Sequence, residues 1–467
     1  MIDLSTRANQ TIAVLGLGAS GLMAARALHS GGAKTVVWDD NPGQRAKAEQ
    51  DGIATADLGE YDFAGTDALV LAPGIPLTHK PHDIVARARA ASVSIIGDIE
   101  LLVEACPQAR FIGITGTNGK STTTALLGHV LAHAGVKAQL GGNLGPPALG
   151  LEPPKKGETI VLELSSYQLD LTRKACFDIA LLLNISPDHL DRHGDMAGYI
   201  AAKKRIFRDR GDASGQIAII GVDDAYSRAV YDEISARPGW TAIPVSATTA
   251  PAGGVYVSDG VLIDDCAGDR KFIRNLGGIV SLTGRHNGQN IAAAYAAARA
   301  LGVDAAAIAD ALDSYPGLPH RLELVGTIDG VRFINDSKAT NGEAAANALA
   351  CFDAIYWIAG GRAKEEGLAP TLGSLGGVQA AFLVGESEEA FAEQLKDRVP
   401  ATKCSDLAIA MRLALTQAIE DRGQGRADDP VVLLSPAAAS FDQWKNFEDR
   451  GEGFRAIVRA LEAEATA

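Results

Sequence analysis

The sequence is short of several features, and each shortage narrows what the chain can be. Among its 467 residues there are only five cysteines, Cys106, Cys176, Cys266, Cys351 and Cys404, and no C-x-x-C pair. An odd, scattered set excludes a disulfide framework and fits buried thiols in a reducing compartment. No apolar run approaches the length of a bilayer span, and Met1 to Gln10 lacks the apolar centre of a signal peptide. Positive charge is in deficit: 43 Lys and Arg stand against 57 Asp and Glu, a net charge of −14. That balance argues against general binding to nucleic acid or to an anionic membrane. A phosphorylated ligand would need cations placed locally. No repeating period marks a solenoid or an array. The expectation is a soluble, cytoplasmic protein.

What is present is ordinary in bulk, with 47% hydrophobic and 21% charged residues, and specific in detail. The chain is long enough for two to four domains, each with its own core. The stretch that organises it is Phe111-Ile-Gly-Ile-Thr-Gly-Thr-Asn-Gly-Lys-Ser-Thr-Thr-Thr124. An apolar run ends in a Gly-rich turn and then opens into a helical pattern. Glycines let backbone N–H groups close around phosphate oxygens, and the helix N-terminus adds partial positive charge. Lys120 would reach the β/γ-phosphates of a nucleotide, and the Ser121 hydroxyl would hold Mg²⁺. The strict pattern wants glycine where Ile114 stands, so the loop is a variant.

Upstream, the strand Thr11-Ile-Ala-Val-Leu15 runs into Gly16-Leu-Gly18-Ala-Ser-Gly21, and a second strand ends in Asp39-Asp40. This is a βαβ fingerprint with an acidic residue placed for a ribose. Alone it suggests NAD; physically it requires only a diphosphate and a ribose, which a UDP group also presents. Ala72-Pro73-Gly74 is a rigid turn at a strand end. Downstream, Thr159-Ile-Val-Leu-Glu163 places a carboxylate as the acidic partner of Ser121 or as a simple cap. His189, in the loop Ser186 to His193, is suited to ligating metal, holding substrate or moving a proton. Composition alone does not select among Lys203, Lys204 and Arg205. Continuous apolar strands alternating with helices predict parallel sheets covered on both faces, with a small antiparallel patch over Gly253 to Leu276. After the Pro316-to-Pro319 linker, strands end at Asp336-Ser337-Lys338, at Gly360-Gly361 followed by Lys364, and at Ser435 to Phe447, where open α/β sheets bind ligands. Arg321 could face ATP phosphates.

The motifs Gly116-Thr-Asn-Gly-Lys-Ser121, Glu163-Leu-Ser-Ser166, Asn184…Asp188-His189, His286-Asn287…Asn290, His320-Arg321 and Asp336-Ser-Lys338 occur together and in order. Together they resemble the Mur ligase family of peptidoglycan synthesis. Asp336-Ser-Lys-Ala-Thr-Asn341 and Ser435-Pro-Ala-Ala-Ala-Ser440…Asp442-Gln-Trp-Lys-Asn-Phe447-Glu-Asp-Arg-Gly451 are similar to its branch that adds D-glutamate. The resemblance implies an α/β chain of three domains: a Rossmann-like UDP-binding domain over 1–98, a central P-loop ATPase-type domain over 99–317, and a Rossmann-like C-terminal domain over 318–467. It implies an ATP-dependent ligase that joins D-glutamate to UDP-N-acetylmuramoyl-L-alanine through an acyl phosphate, using ATP and two Mg²⁺ ions and no NAD.

Residue by residue, the resemblance implies that Ala19, Ser20, Asp39, Asp40, Gly74, Asn143 and His189 contact the UDP substrate. ATP would be held by Gly116, Thr117, Asn118, Gly119, Lys120, Ser121, Thr122, Asn287, Asn290, Arg321, Asp336 and Lys338. D-Glutamate would be held by Thr340, Lys364, Ser440 and Phe447. Metal would be held by Ser121, Glu163, His189 and Lys203, the last as a carbamate. Lys120, His189, Lys203 and Arg321 are the implied catalytic groups. A sibling ligase or polyglutamate synthase is the near alternative, and a nicotinamide oxidoreductase the distant one.

Overall fold

The computed structural model describes residues 1–211, 215–277 and 279–465. It is an α/β structure built on three sheets. By packing, the chain divides into two compact units: one of residues 1–275 and 288–314, the other of residues 276–287 and 315–467.

The first unit holds two of the sheets. In the first, β1 (Thr11–Leu15), β2 (Lys34–Trp38), β3 (Ala54–Thr55), β4 (Ala68–Leu71) and β5 (Ser94–Ile96) lie in the order β3-β2-β1-β4-β5. All neighbours pair in parallel. The order reverses between β1 and β4, and a crevice opens beyond the carboxyl ends of strands at such a point. The Gly16 turn and the Ala72-Pro73-Gly74 turn meet there. Gly16 has φ +86°, and a Cβ on Gly21 would lie 1.9 Å from the Gly16 carbonyl oxygen. Only glycine lets the helix Ala19–Ser30 start so close to β1.

The second sheet comprises β6 (Arg110–Thr115), β7 (Ala138–Gly142), β8 (Thr159–Glu163), β9 (Ile179–Leu182), β10 (Gln216–Gly221), β11 (Trp240–Ser246), β12 (Val255–Ser258), β13 (Val261–Asp264) and β14 (Lys271–Asn275). Their order is β14-β13-β12-β11-β10-β9-β6-β8-β7. The strands from β7 to β12 are parallel, and β12-β13-β14 form the antiparallel patch predicted from the sequence. β6 again sits at the reversal of order, so the phosphate loop leaves the sheet at its switch point. β8 and β9 are buried along their whole length, as strands covered on both faces must be. One buried core runs from Ile12 and Val14 of the first sheet through Ile99, Leu102 and Leu149 to Leu162, Leu182 and Ile220 of the second.

The second unit holds the third sheet: β15 (Glu323–Ile328), β16 (Val331–Asn335), β17 (Ile355–Gly360), β18 (Val378–Val384), β19 (Ala401–Ser405) and β20 (Val431–Leu434). The order is β15-β16-β20-β17-β18-β19, parallel except for the β15-β16 hairpin. Apolar clusters lie on both faces. The loops after β16, β17 and β20 therefore leave from neighbouring strand ends.

Candidate active site

In the first unit, the loops after β1, β2, β4, β6, β7, β8 and β9 surround one cavity of about 840 Å³. Of the residues singled out in the sequence, Ala19, Ser20, Asp39, Asp40, Gly74, Lys120, Asn143, His189 and Lys203 line it. The fingerprint of the first sheet and the lysine of the phosphate loop thus face one space.

The phosphate loop is set by its glycines. Gly119 is in the left-handed region at φ +83°, and a Cβ there would lie 2.2 Å from Asn290 Oδ1. Asn290 also accepts from Thr123 Oγ1 at 3.2 Å. Lys120 Nζ donates to the carbonyls of Gly116 and Thr117, each at 2.8 Å. Thr117 Oγ1 lies 3.1 Å from Tyr199 Oη. Asn118 is clasped on both sides by Asn184, whose Oδ1 accepts its N–H at 2.8 Å while Nδ2 donates to its carbonyl at 3.2 Å. Ser121 and Thr122 are buried in the first turn of the helix Lys120–His133.

Lys203 and Lys204 part company here. Lys203 is 1% exposed, donates from Nζ to the Gly116 carbonyl at 2.8 Å, and lies 4.7 Å above the Tyr199 ring. Burial first, and then the Lys120 charge, push its pKa well below the ordinary lysine range. An amine in that state carries a lone pair and is a nucleophile. Lys204 instead pairs with Glu233 at the surface.

Glu163, at the end of β8, is 1% exposed. Its Oε1 accepts from Asn143 Nδ2 at 2.7 Å, and its Oε2 is buried without a hydrogen-bond partner. A buried carboxylate oxygen left unmatched costs free energy unless a cation or donor meets it. With the buried hydroxyl of Ser121, this donor set suits a hard divalent ion. His189 has φ +53° at the head of a short helical turn, and its Nδ1 lies 3.1 Å from Tyr167 Oη. Among the described residues no three His, Cys, Asp or Glu side chains gather as a metal site on their own. The implied set accordingly rests on Ser121 and a modified Lys203 beside Glu163 and His189.

Several predicted residues have positioning partners. Asp39 accepts from the N–H of Leu17 at 2.6 Å and of Asn41 at 2.8 Å, so it braces the fingerprint turn as well as lining the cavity. Arg192, not singled out in the sequence, donates to the Ile75 carbonyl at 2.8 Å and ties the His189 segment to the Gly74 turn. Asp98 is buried beside Ser20, and burial pushes its pKa up to about 6. No sequence pattern marks Asp98 or Arg192.

The second unit brings its predicted residues to adjoining loops. Asp336 is buried, accepts from Ser435 Oγ at 2.8 Å, and is pushed up to about 7 by burial. Arg321 carries a buried Nε with no hydrogen-bond partner. Lys338 Nζ sits 5.5 Å above the Phe447 ring. Asn287 donates to the Thr283 carbonyl at 2.8 Å. Thr340 is half-buried, Lys364 is exposed after β17, and Ser440 is buried with an unmatched Oγ. The loops of Lys364 and Ser440 are joined by an antiparallel bridge between Arg362 and Ala439. Arg450, part of the last sequence motif but given no role there, ties these loops together from within: it donates to Ser337 Oγ at 3.0 Å, the Ser337 carbonyl at 2.9 Å and the Ala438 carbonyl at 3.1 Å.

Residues 114–298 match the Mur ligase middle domain, and residues 320–438 match the Mur ligase glutamate ligase domain. The chain is 48% identical over 468 aligned residues to the UDP-N-acetylmuramoylalanine–D-glutamate ligase of Caulobacter sp. (strain K31), covering 99% of this chain and 98% of that protein. It is 49% identical over 471 residues to the like-named ligase of Caulobacter vibrioides (strain NA1000 / CB15N), with the same coverage. Among solved structures, the UDP-N-acetylmuramate–alanine ligase MurC of Thermotoga maritima matches with a TM-score of 0.54 at 16% identity, over 97% of this chain and 99% of that one. MurF of Acinetobacter baumannii matches with a TM-score of 0.55 at 19% identity, over 87% and 93%. Those two likenesses speak for the fold.

Proposed function

The chain belongs to the Mur ligase family, and on that premise we propose that it is the ATP-dependent ligase that adds D-glutamate to UDP-N-acetylmuramoyl-L-alanine in peptidoglycan precursor synthesis. The observation that carries the reading is the single cavity that runs from the Gly16 fingerprint past Lys120 to Lys203. It has room for a nucleotide sugar at one end and a terminal phosphate at the other. The substrate carboxylate attacks the γ-phosphate to give an acyl phosphate and ADP. The amine of D-glutamate then attacks that carbonyl, and inorganic phosphate leaves. Both partners of the first step are anionic, so positioning and charge neutralisation carry it.

The residues take the following parts in this reading. Ala19, Ser20, Asp39, Asp40, Gly74 and Asn143 hold the UDP substrate, and the fingerprint takes the UDP diphosphate in place of a nicotinamide dinucleotide. Gly116 to Thr122, with Asn287, Asn290, Asp336 and Lys338, hold ATP. Lys120 and Arg321 neutralise the transferred phosphoryl group. Ser121, Glu163 and His189, with Lys203 as a carbamate, would hold two Mg²⁺ ions, whose chemistry is charge neutralisation at the phosphates. The unmatched Glu163 Oε2 and the depressed pKa of Lys203 favour this: only the neutral amine adds carbon dioxide. His189 is the candidate acceptor of the D-glutamate ammonium proton. Thr340, Lys364, Ser440 and Phe447 bind D-glutamate. The functional segments are 1–98, 99–317 and 318–467. In this reading the protein acts as a monomer in the cytoplasm. Among the described residues no helix is long and apolar enough to cross a membrane.

Purified protein should release phosphate from ATP only when UDP-N-acetylmuramoyl-L-alanine and D-glutamate are both present. Equal activity with L-glutamate would overturn the assignment.

A further inference from the structure

The phosphate loop is held from outside by a chain of side-chain amides that ends on a carboxylate. Asn184 clasps Asn118, as described above. Its Nδ2 also donates to Gln289 Oε1 at 3.1 Å, and Gln289 Nε2 donates to Asp223 Oδ2 at 2.9 Å. Asp223 is itself fixed. It accepts from the Ala247 N–H at 2.9 Å, from Thr248 Oγ1 at 2.6 Å and from Ser246 Oγ. Gln289 is buried, and its Nε2 packs against Gly221, where a Cβ would come within 2.7 Å of it.

The chemistry of the end group gives the chain a direction. An ionised carboxylate only accepts hydrogen bonds, whereas an amide presents an acceptor at one end and a donor at the other. Gln289 must turn its NH₂ to Asp223, which leaves its oxygen for Asn184. Asn184 must then turn its NH₂ to Gln289, which leaves its oxygen for the N–H of Asn118. Both ends of the chain are fixed in kind, the Asp223 carboxylate as an acceptor and the Asn118 N–H as a donor, and the two amides between them can run only one way.

We infer that Gln289 is a positioning residue for ATP: it ties Asn184, and through it the backbone of Asn118, to the fixed Asp223 carboxylate, and so holds the turn that carries Gly119, Lys120 and Ser121. It stands in sequence between Asn287 and Asn290, two expected ATP contacts, and acts on the loop without touching the nucleotide. The inference rests on the reading of this loop as the ATP site.

The test is steady-state kinetics on the full chain, with KM for ATP and for UDP-N-acetylmuramoyl-L-alanine measured separately. Gln289→Met keeps the volume and loses both hydrogen bonds. Gln289→Glu keeps the acceptor for Asn184 and sets a second carboxylate against Asp223. Each should raise KM for ATP by about 10- to 150-fold, the range for losing a hydrogen bond to a charged group. KM for the UDP substrate should stay within about twofold. If both single variants keep the wild-type KM for ATP, the inference is overturned. A variant that has lost the fold also loses affinity for the UDP substrate, and the other variant then decides. Absence of ATP-dependent phosphate release in the wild-type protein would instead overturn the reading of the site itself.

Discussion

Lys203 and Lys204 are neighbours in sequence and differ in everything that decides chemistry. The first is buried against the Gly116 carbonyl and the Tyr199 ring; the second pairs with Glu233 in water. Lys203→Ala should lower phosphate release by about a thousandfold or more, with partial rescue by short carboxylic acids that supply the missing oxygen ligands. Lys204→Ala should change activity by no more than about twofold, since an exposed pair contributes about 0–1 kcal/mol. The reverse outcome would move the assignment by one residue. Three successive cations in a sequence carry no sign of which is buried, and only packing separates them. Asp98 was equally illegible, because a carboxyl at a helix start usually faces water. Its pKa of about 6 in the fold, against an ordinary 3.8, means that the folded protein keeps a proton the unfolded chain has released. That contribution to stability is complete below about pH 4 and is lost as pH rises through about 6, with a span of about 2–3 kcal/mol. Asp98→Asn should abolish this slope and be the more stable protein at pH 8. Melting curves of the two proteins from pH 4.5 to 8 check it, and parallel curves would refute it.

At the scale of elements, the sequence announced the turns that matter because glycine and strand ends carry local signals. β1 with its Gly16 turn, and β6 with the Gly119 turn, read directly from apolar runs followed by glycine. So did the antiparallel patch, which now appears as β12 to β14. The joints between elements did not read at all. Asn184, Gln289 and Asp223 are far apart in the chain, and nothing local marks an amide as oriented. Arg450 likewise shows its role only when the loops it holds are in place. Gly119 offers a test at this level. Alanine at φ +83° costs about 1–2 kcal/mol in backbone strain alone, and its Cβ would lie 2.2 Å from Asn290 Oδ1. Gly119→Ala should raise KM for ATP by about tenfold or more and leave binding of the UDP substrate within about twofold. Calorimetric titration with each ligand separates the two effects, and a matched loss of both would point to general unfolding instead.

For the whole molecule, the sequence pattern gave the α/β class and three sheets, because apolar strands alternating with helices leave few other arrangements. The chain's length leaves room for a core in each domain, and the packing joins the cores of two sheets. The buried side chains of the first sheet continue without a break into those of the second, through Ile99, Leu102 and Leu149. Thr78 bonds Asp170 at 2.8 Å and the Ile2 N–H bonds the Leu149 carbonyl at 2.9 Å across the same seam. The portion built on the first sheet is therefore not a cassette. Grafted onto another chain, or expressed by itself, it would carry a raw apolar face. Exchange of that portion between relatives has to proceed by changing loops on a retained framework, because a cut between the first two sheets divides one continuous core.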